Sequence, residues 1–338
     1  MSKNASVRRA PRMADVAAMA GVSGMTVSRV LRDPTCVTPE TLQRIEQAIE
    51  ATGYVANRVA GSLASRRTNI VGLIVPSLRN SLFVETIQGV SDVLGTSHPL
   101  MIADSGYSLA GEEAAIRAFL GQRVCAVVLH NTTHTDRSRV MLREAGIPCV
   151  ETGNLTRQPI DMVASFSNRK AARAMTAYLI ARGHRRIGFA SLPTDDNDRA
   201  EERRAGYQAA LSRARMPVDP ALTIEVAAGL AGGAEALTYF LSLTPAVDAV
   251  FLSGDVLATG AVLEAKRRRI AIPKRLAIVG TDDSDLQERI SPAVTTLRFP
   301  RYDIGRRAAS MLLTRLDGRP VDPASVDLGF EIVERATA

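Results

Sequence analysis

The sequence predicts a mixed α/β protein: a sensor of two doubly wound parallel-sheet lobes, preceded by a small all-helical head. Two observations carry this. From Ile70 onward, short apolar runs alternate with helical patterns of ten or more residues, the signature of parallel βαβ units. These runs are also too numerous for one sheet of about five or six strands, whereas residues 1–50 hold only short capped helices.

In the head, Met13, Val16, Ala17 and Ala20 recur at helical spacing, with Asp15 placed early enough to favour the helix dipole. Gly21 breaks this helix and Ser23 caps a second, expected from about Gly24 to Arg32 with Val27, Val30 and Leu31 facing inward. Asp33-Pro34 ends it. Thr38-Pro39-Glu40-Thr41 opens a third helix, in which Leu42, Ile45, Ala48 and Ile49 share a face and which Gly53 ends. In the body, IVGLIV, PLMIA, VCAVVL, PCVET, RIGFAS, DAVFLS and LAIVG read as strands. The clearest helices are 167–181, 201–214, 255–268 and 302–316. The expected boundaries are 1–56 for the head, 57–67 for a hinge or linker and 68–338 for the two-lobed body.

Composition excludes several classes. Apolar residues make up 46% and charged residues 23% of the 338, a globular mixture and not a disordered or fibrous one. No apolar run approaches the length of a membrane span, and MSKNASVRRA lacks the apolar core of a signal peptide. The expected setting is cytoplasmic, with no membrane partner. Cys36, Cys125 and Cys149 are too few and too scattered for a disulfide framework or a four-ligand zinc site. The net charge of +7 is uneven: residues 1–67 carry +5 and the remaining 271 only +2. Basic clustering in a small module suggests a polyanionic partner, although arginine exceeds lysine throughout the chain.

Helix, tight glycine turn and second helix over Met13–Leu31 form the helix-turn-helix that places its second helix in the DNA major groove. The same residues resemble the LacI/GalR repressor family, whose pattern is present as Asp15-Val16-Ala17, Ala20-Gly21-Val22-Ser23 and Thr26-Val27-Ser28-Arg29-Val30-Leu31. Thr38–Thr41, Gly53-Tyr54 and Asn57-Arg58-Val59-Ala60 continue it. The resemblance implies DNA contacts from Ser23, Gly24, Met25, Thr26, Ser28 and Arg29. Arg29 suits guanine readout best, because its guanidinium offers paired donors; a plain phosphate contact is the other reading. Residues 57–66 resemble the family's hinge helix, in which Leu63 matches an apolar minor-groove wedge, and Asn57 and Arg58 suit phosphate contacts. Gly61 weakens that helix.

The body resembles the family's periplasmic-binding-protein-like sensor through RGHRRIGF, RRAGY, FLSGD, VGTDD and SPAVTTLRFP. The resemblance implies that Arg203 and Asp282 hold an effector in a crevice, walled by Asn80, Leu82, Phe83, His130, Thr132, Arg199, Asp255 and Phe299. Ligands of doubly wound lobes sit beyond the carboxyl ends of the strands. Segments such as ADSGYSLAGEE and VDLGFEIV are most similar to the gluconate-utilisation branch, which implies a sugar-acid effector; Phe299 and Thr281 depart from the usual pattern. The reading is a homodimeric repressor released from a near-palindromic operator by its effector, with residues 83–94 and 286–290 at the dimer face. A neutral sugar, a co-repressor or an activator role are the alternatives, with a sugar-binding protein lacking DNA function behind them. Motifs for phosphate-binding loops, dinucleotide folds, nucleophile elbows or zinc proteases are missing, so no enzyme, cofactor or metal is expected. His130 and His134 stand four apart, but in an apparent loop that argues against a metal pair.

Overall fold

The computed structural model describes residues 9–31, 33–55 and 67–338. The chain divides into two compact units, 1–68 and 69–338.

Among its described residues the first unit holds three α-helices: α1 (Met13–Ala20), α2 (Gly24–Val30) and α3 (Pro39–Thr52). Gly21 ends α1 at φ 65°, a left-handed conformation that costs glycine nothing. Ser23 caps α2 by accepting from Thr26 N at 3.1 Å, and Thr38 caps α3 just ahead of Pro39. Val16, Val27, Ile45 and Ala48 fill the centre, with Met13, Val22, Leu42 and Ile49 packed around them. α2 stops at Val30, two residues short of the expected end, and Leu31 is 40% exposed where an inward position was expected. The packing stripe is complete with Val27 and Val30.

The second unit contains two six-stranded sheets. The first is ordered β11-β5-β4-β3-β1-β2. Its strands are β1 (Val71–Val75), β2 (Leu100–Asp104), β3 (Ala126–Leu129), β4 (Cys149–Glu151), β5 (Met162–Ser165) and β11 (Ser325–Asp327). The second is ordered β12-β10-β9-β8-β6-β7. Its strands are β6 (Ile187–Ser191), β7 (Thr223–Glu225), β8 (Ala249–Leu252), β9 (Ala277–Thr281), β10 (Thr295–Arg298) and β12 (Glu331–Val333). Every pairing is parallel except β10 with β12. The seven apolar runs supply β1–β4, β6, β8 and β9. The others are short, and β11 and β12 lie at sheet edges, half-exposed.

Helices cover both sheets: α4 (Leu82–Leu94), α5 (Leu109–Gly121), α6 (Asp136–Ala145), α7 (Asn168–Ala181), α8 (Asp198–Arg213), α9 (Leu230–Ser242), α10 (Asp255–Arg267), the short α11 (Asp285–Arg289) and α12 (Arg301–Leu316). The chain passes between the lobes after β5, after β10 and after β11. Phe166 and Phe299 lie on the first two of these passages and stack with centroids 3.9 Å apart. α12 packs on α4 with almost no room between the backbones. A Cβ on Gly89 would lie 2.1 Å from Tyr302 O, and one on Gly305 2.2 Å from Thr86 O. The α4 face turned to α12 is therefore covered within the same chain, whereas Val84 on the same helix is exposed.

A polar group sits within the first lobe. His134 is fully buried, with Nδ1 2.6 Å from Glu112 Oε1 and Nε2 2.7 Å from Glu151 Oε1. Both ring nitrogens face carboxylates, so the protonated ring donates to both. Burial alone would lower its pKa, but the hydrogen bonds and charges of Glu112 and Glu151 outweigh it and raise the value to about 9. Burial pushes Glu151 up, with His134 pulling against it. The loop position of His134 was legible; its burial was not.

Gly89→Val is expected to lower the free energy of unfolding by about 1–3 kcal/mol, measured by urea denaturation, because the added methyls meet a helix backbone that cannot give way. His134 binds its proton more tightly when folded than when unfolded. Its contribution to stability is therefore fully present below pH 6.5 and is lost as pH rises through about 9. Urea midpoints measured across that window are expected to fall in wild type. His134→Gln is expected to be less stable at pH 7 and to show a flatter profile.

Candidate functional site

The two sheets turn the carboxyl ends of their strands toward one crevice. In each, the strand order reverses beside the first strand, between β1 and β3 and between β6 and β8, where loops splay apart and leave a cleft. The crevice encloses about 620 Å³ of space between atoms, open mouth included.

The first lobe contributes Asn80, Leu82 and Phe83 after β1, Tyr107 after β2 and His130 after β3, together with Arg301 at the start of α12. The second contributes Asn197, Arg199 and Arg203 from α8 and its cap, Ser253 and Asp255 after β8, and Asp282 after β9. Eight of the ten residues expected in the crevice line it. Thr132 and Phe299 do not. Thr132 faces Asp198 of the other lobe, its backbone N 3.0 Å from Oδ2, and so ties the lobes together beside the crevice. Phe299 lies behind the wall, stacked on Phe166 beneath the guanidinium groups of Arg203 and Arg301, each 5.4 Å from its ring. It supports the cations and does not present a face to a ligand.

Tyr107, Asn197, Ser253 and Arg301 line the crevice without having been singled out from the sequence, and Arg301 is the charged one among them. It pairs with Asp282, which Arg203 Nη2 also approaches at 3.8 Å. Arg203 is fixed by Nε donating to Asn168 Oδ1 at 2.7 Å. Burial pulls the Arg203 pKa down to about 10, with Asp282 opposing. At Asp282, burial pushes the pKa up but Arg301 and Arg203 together bring it below the usual carboxylate value. Asp282 is held at φ 89°, a strained conformation for a residue with a side chain, and its neighbour Asp255 is raised by burial and then by Asp282. Burial and then the charges of Arg199, Arg301 and Arg203 keep the His130 pKa well below 6.5, so the ring is neutral, set edge-on against Phe83.

Three groups in this crevice are buried without a hydrogen-bond partner: Arg199 Nη2, Arg301 Nε and Asp255 Oδ1. Buried polar atoms are nearly always satisfied, so these three, all on residues that line the crevice, are the groups there that a polar molecule would complete. Two free donors and one free acceptor match a ligand bearing an anionic group and hydroxyls.

On the head, α2 buries Val27 and Val30 and turns Gly24, Met25 and Arg29 outward, Met25 being 67% exposed. Ser23 and Thr26 share a hydrogen bond of 2.9 Å between their hydroxyls, and Ser28 is half-buried. Asn57, Arg58 and Leu63 lie outside the described residues.

Comparison with known proteins agrees with both parts. Residues 12–57 match the family described as bacterial regulatory proteins, lacI family, and residues 176–338 match the periplasmic binding protein-like domain. The HTH-type transcriptional regulator GntR of Pseudomonas aeruginosa is 36% identical, over 98% of this chain and 97% of that protein. GntR of Escherichia coli K12 is 32% identical, over 96% and 98%. A crystal structure of a LacI family transcriptional regulator from Silicibacter pomeroyi superposes with a TM-score of 0.90 at 32% identity, over 97% of this chain and 99% of the other. The chain belongs to the lacI family of bacterial regulatory proteins.

Proposed function

We propose that the chain is a sequence-specific DNA-binding transcriptional repressor. It acts as a homodimer whose heads read the two halves of a near-palindromic operator, and a small sugar acid in the crevice lowers its operator affinity. The observation that carries the DNA reading is the outward face of α2, where Arg29 and Met25 stand clear of the head's core. A helix presented this way enters the major groove, and two-fold operators mirror two-fold proteins. Among the described residues no helix is long and apolar enough to cross a membrane. A cytoplasmic site of action follows from the DNA partner, and residues 57–67 are assigned as the hinge between head and sensor.

The sugar-acid reading rests on the three arginines at the crevice. Asp282 is shared by two of them, and Arg199 and Arg301 each keep a free donor. A ligand carboxylate would take those donors, while Asp255 accepts from a hydroxyl. The resemblance of segments such as ADSGYSLAGEE and VDLGFEIV to the gluconate-utilisation branch supports gluconate or a close relative. A neutral sugar is the second reading, favoured by the free oxygen of Asp255. We read the crevice as a binding site and not a catalytic one, because its charged groups are set against one another and not against a nucleophile.

Operator affinity measured at fixed salt with gluconate and with glucose separates the two readings: gluconate is expected to release the protein and glucose to leave it bound. Release by glucose alone would replace the first reading with the second. Arg29→Ala is expected to weaken specific operator binding by about 1–3 kcal/mol and to leave gluconate binding intact, as read by fluorescence anisotropy and calorimetry. Arg203→Ala is expected to keep operator binding and lose release by gluconate; a variant released normally overturns its assignment.

A further inference from the structure

Behind the crevice runs a chain of buried hydrogen bonds that reaches one of its arginines. Glu112, whose Oε1 faces His134, accepts from Asn131 Nδ2 through Oε2 at 3.0 Å. Asn131 Oδ1 in turn accepts from Arg199 Nη1 at 2.7 Å. Arg199 Nη1 also donates to Asp198 Oδ1 at 3.0 Å, and Nη2 has no partner. Glu112, Asn131, His134, Glu151 and Arg199 are all buried.

The charges on either side fix the Asn131 amide. Its NH2 faces a carboxylate and its oxygen faces a guanidinium; turned over, both ends would be repelled. Glu112 is itself held by the imidazolium of His134, which Glu151 grips from the other side. A rigid dipole therefore stands against Arg199. The bond also crosses between lobes, since Asn131 follows β3 of the first lobe and Arg199 begins α8 of the second. Asp198, itself held across the lobes by Thr132 N and Oγ1, takes the same Nη1, so Asn131 supplies a second fixed acceptor for that nitrogen.

We propose that Asn131, anchored by Glu112, is a positioning residue for ligand recognition: it fixes the Arg199 guanidinium across the lobe boundary, with Nη2 unpaired, so that the anionic end of a ligand meets this cation in a set position. This rests on the sugar-acid reading of the crevice. The anion site is then complete only while the two lobes hold this arrangement, because its cation comes from one and its brace from the other. Neither Asn131 nor Glu112 lines the crevice, so their effect on the ligand passes through Arg199.

The test uses the full-length protein, an operator duplex and gluconate as the probe, with crystal structures of wild type and Asn131→Ala without ligand. Asn131→Ala is expected to bind operator as wild type does, to need about tenfold more gluconate for release, and to show Arg199 displaced, since a charge-assisted hydrogen bond has been removed. A purely architectural role would lower operator affinity together with gluconate sensitivity, and that outcome overturns the proposal. So does release at the wild-type gluconate concentration. Should Asn131→Ala fail to fold, Asn131→Ser, which keeps a small polar group but is too short to reach both partners, takes its place with the same expectations. If gluconate does not release wild type, the sugar-acid reading falls by itself. The position of Arg199 in the variant crystal then decides: displaced supports the positioning role, unmoved refutes it.

Discussion

The body depends on one constraint: two open parallel sheets must present the carboxyl ends of their strands to each other. A parallel sheet needs helical crossovers on both faces, so its only open places are the strand ends, and the order reversal beside β1 and beside β6 opens a gap there. Three passages of chain between the lobes join the two gaps into one crevice. The stacked pair Phe166 and Phe299 packs two of these passages together, close under the arginines that line the site. Departures of residue type at position 299 therefore bear on how the cations are supported before they bear on what the ligand touches.

Charge in the crevice is arranged by cross-lobe pairing. Asp282 comes from the second lobe and meets Arg203 of its own lobe and Arg301 of the other. Thr132 and Asn131 of the first lobe meet Asp198 and Arg199 of the second. Burying these groups is costly, and the mutual pairing offsets the cost only in this geometry. A ligand that takes up the unsatisfied donors adds favourable contacts to one arrangement of the lobes. That differential preference is what any coupling between ligand and DNA requires.

The head solves a smaller problem with local means. Its core is a handful of aliphatic residues, its helix ends are set by Ser23, Thr38 and two left-handed glycines, and among the described residues the outward face of α2 stands outside that core. Residues there are free to serve recognition. Leu31, exposed against expectation, shows how short the inward stripe of α2 is.

The sequence by itself determined the helical head with its caps, the alternation that makes parallel lobes, the family and eight of the crevice residues. Those features rest on local rules: periodicity, turn chemistry and motifs attached to strand ends. Only the tertiary structure decided that Arg301 shares Asp282, that Phe299 stands behind the wall and Thr132 beside the crevice, and that His134 is a buried cation between Glu112 and Glu151. Each of these depends on segments far apart in the chain being brought together, or on which side of a loop faces inward. Spacing along one segment carries no information about either.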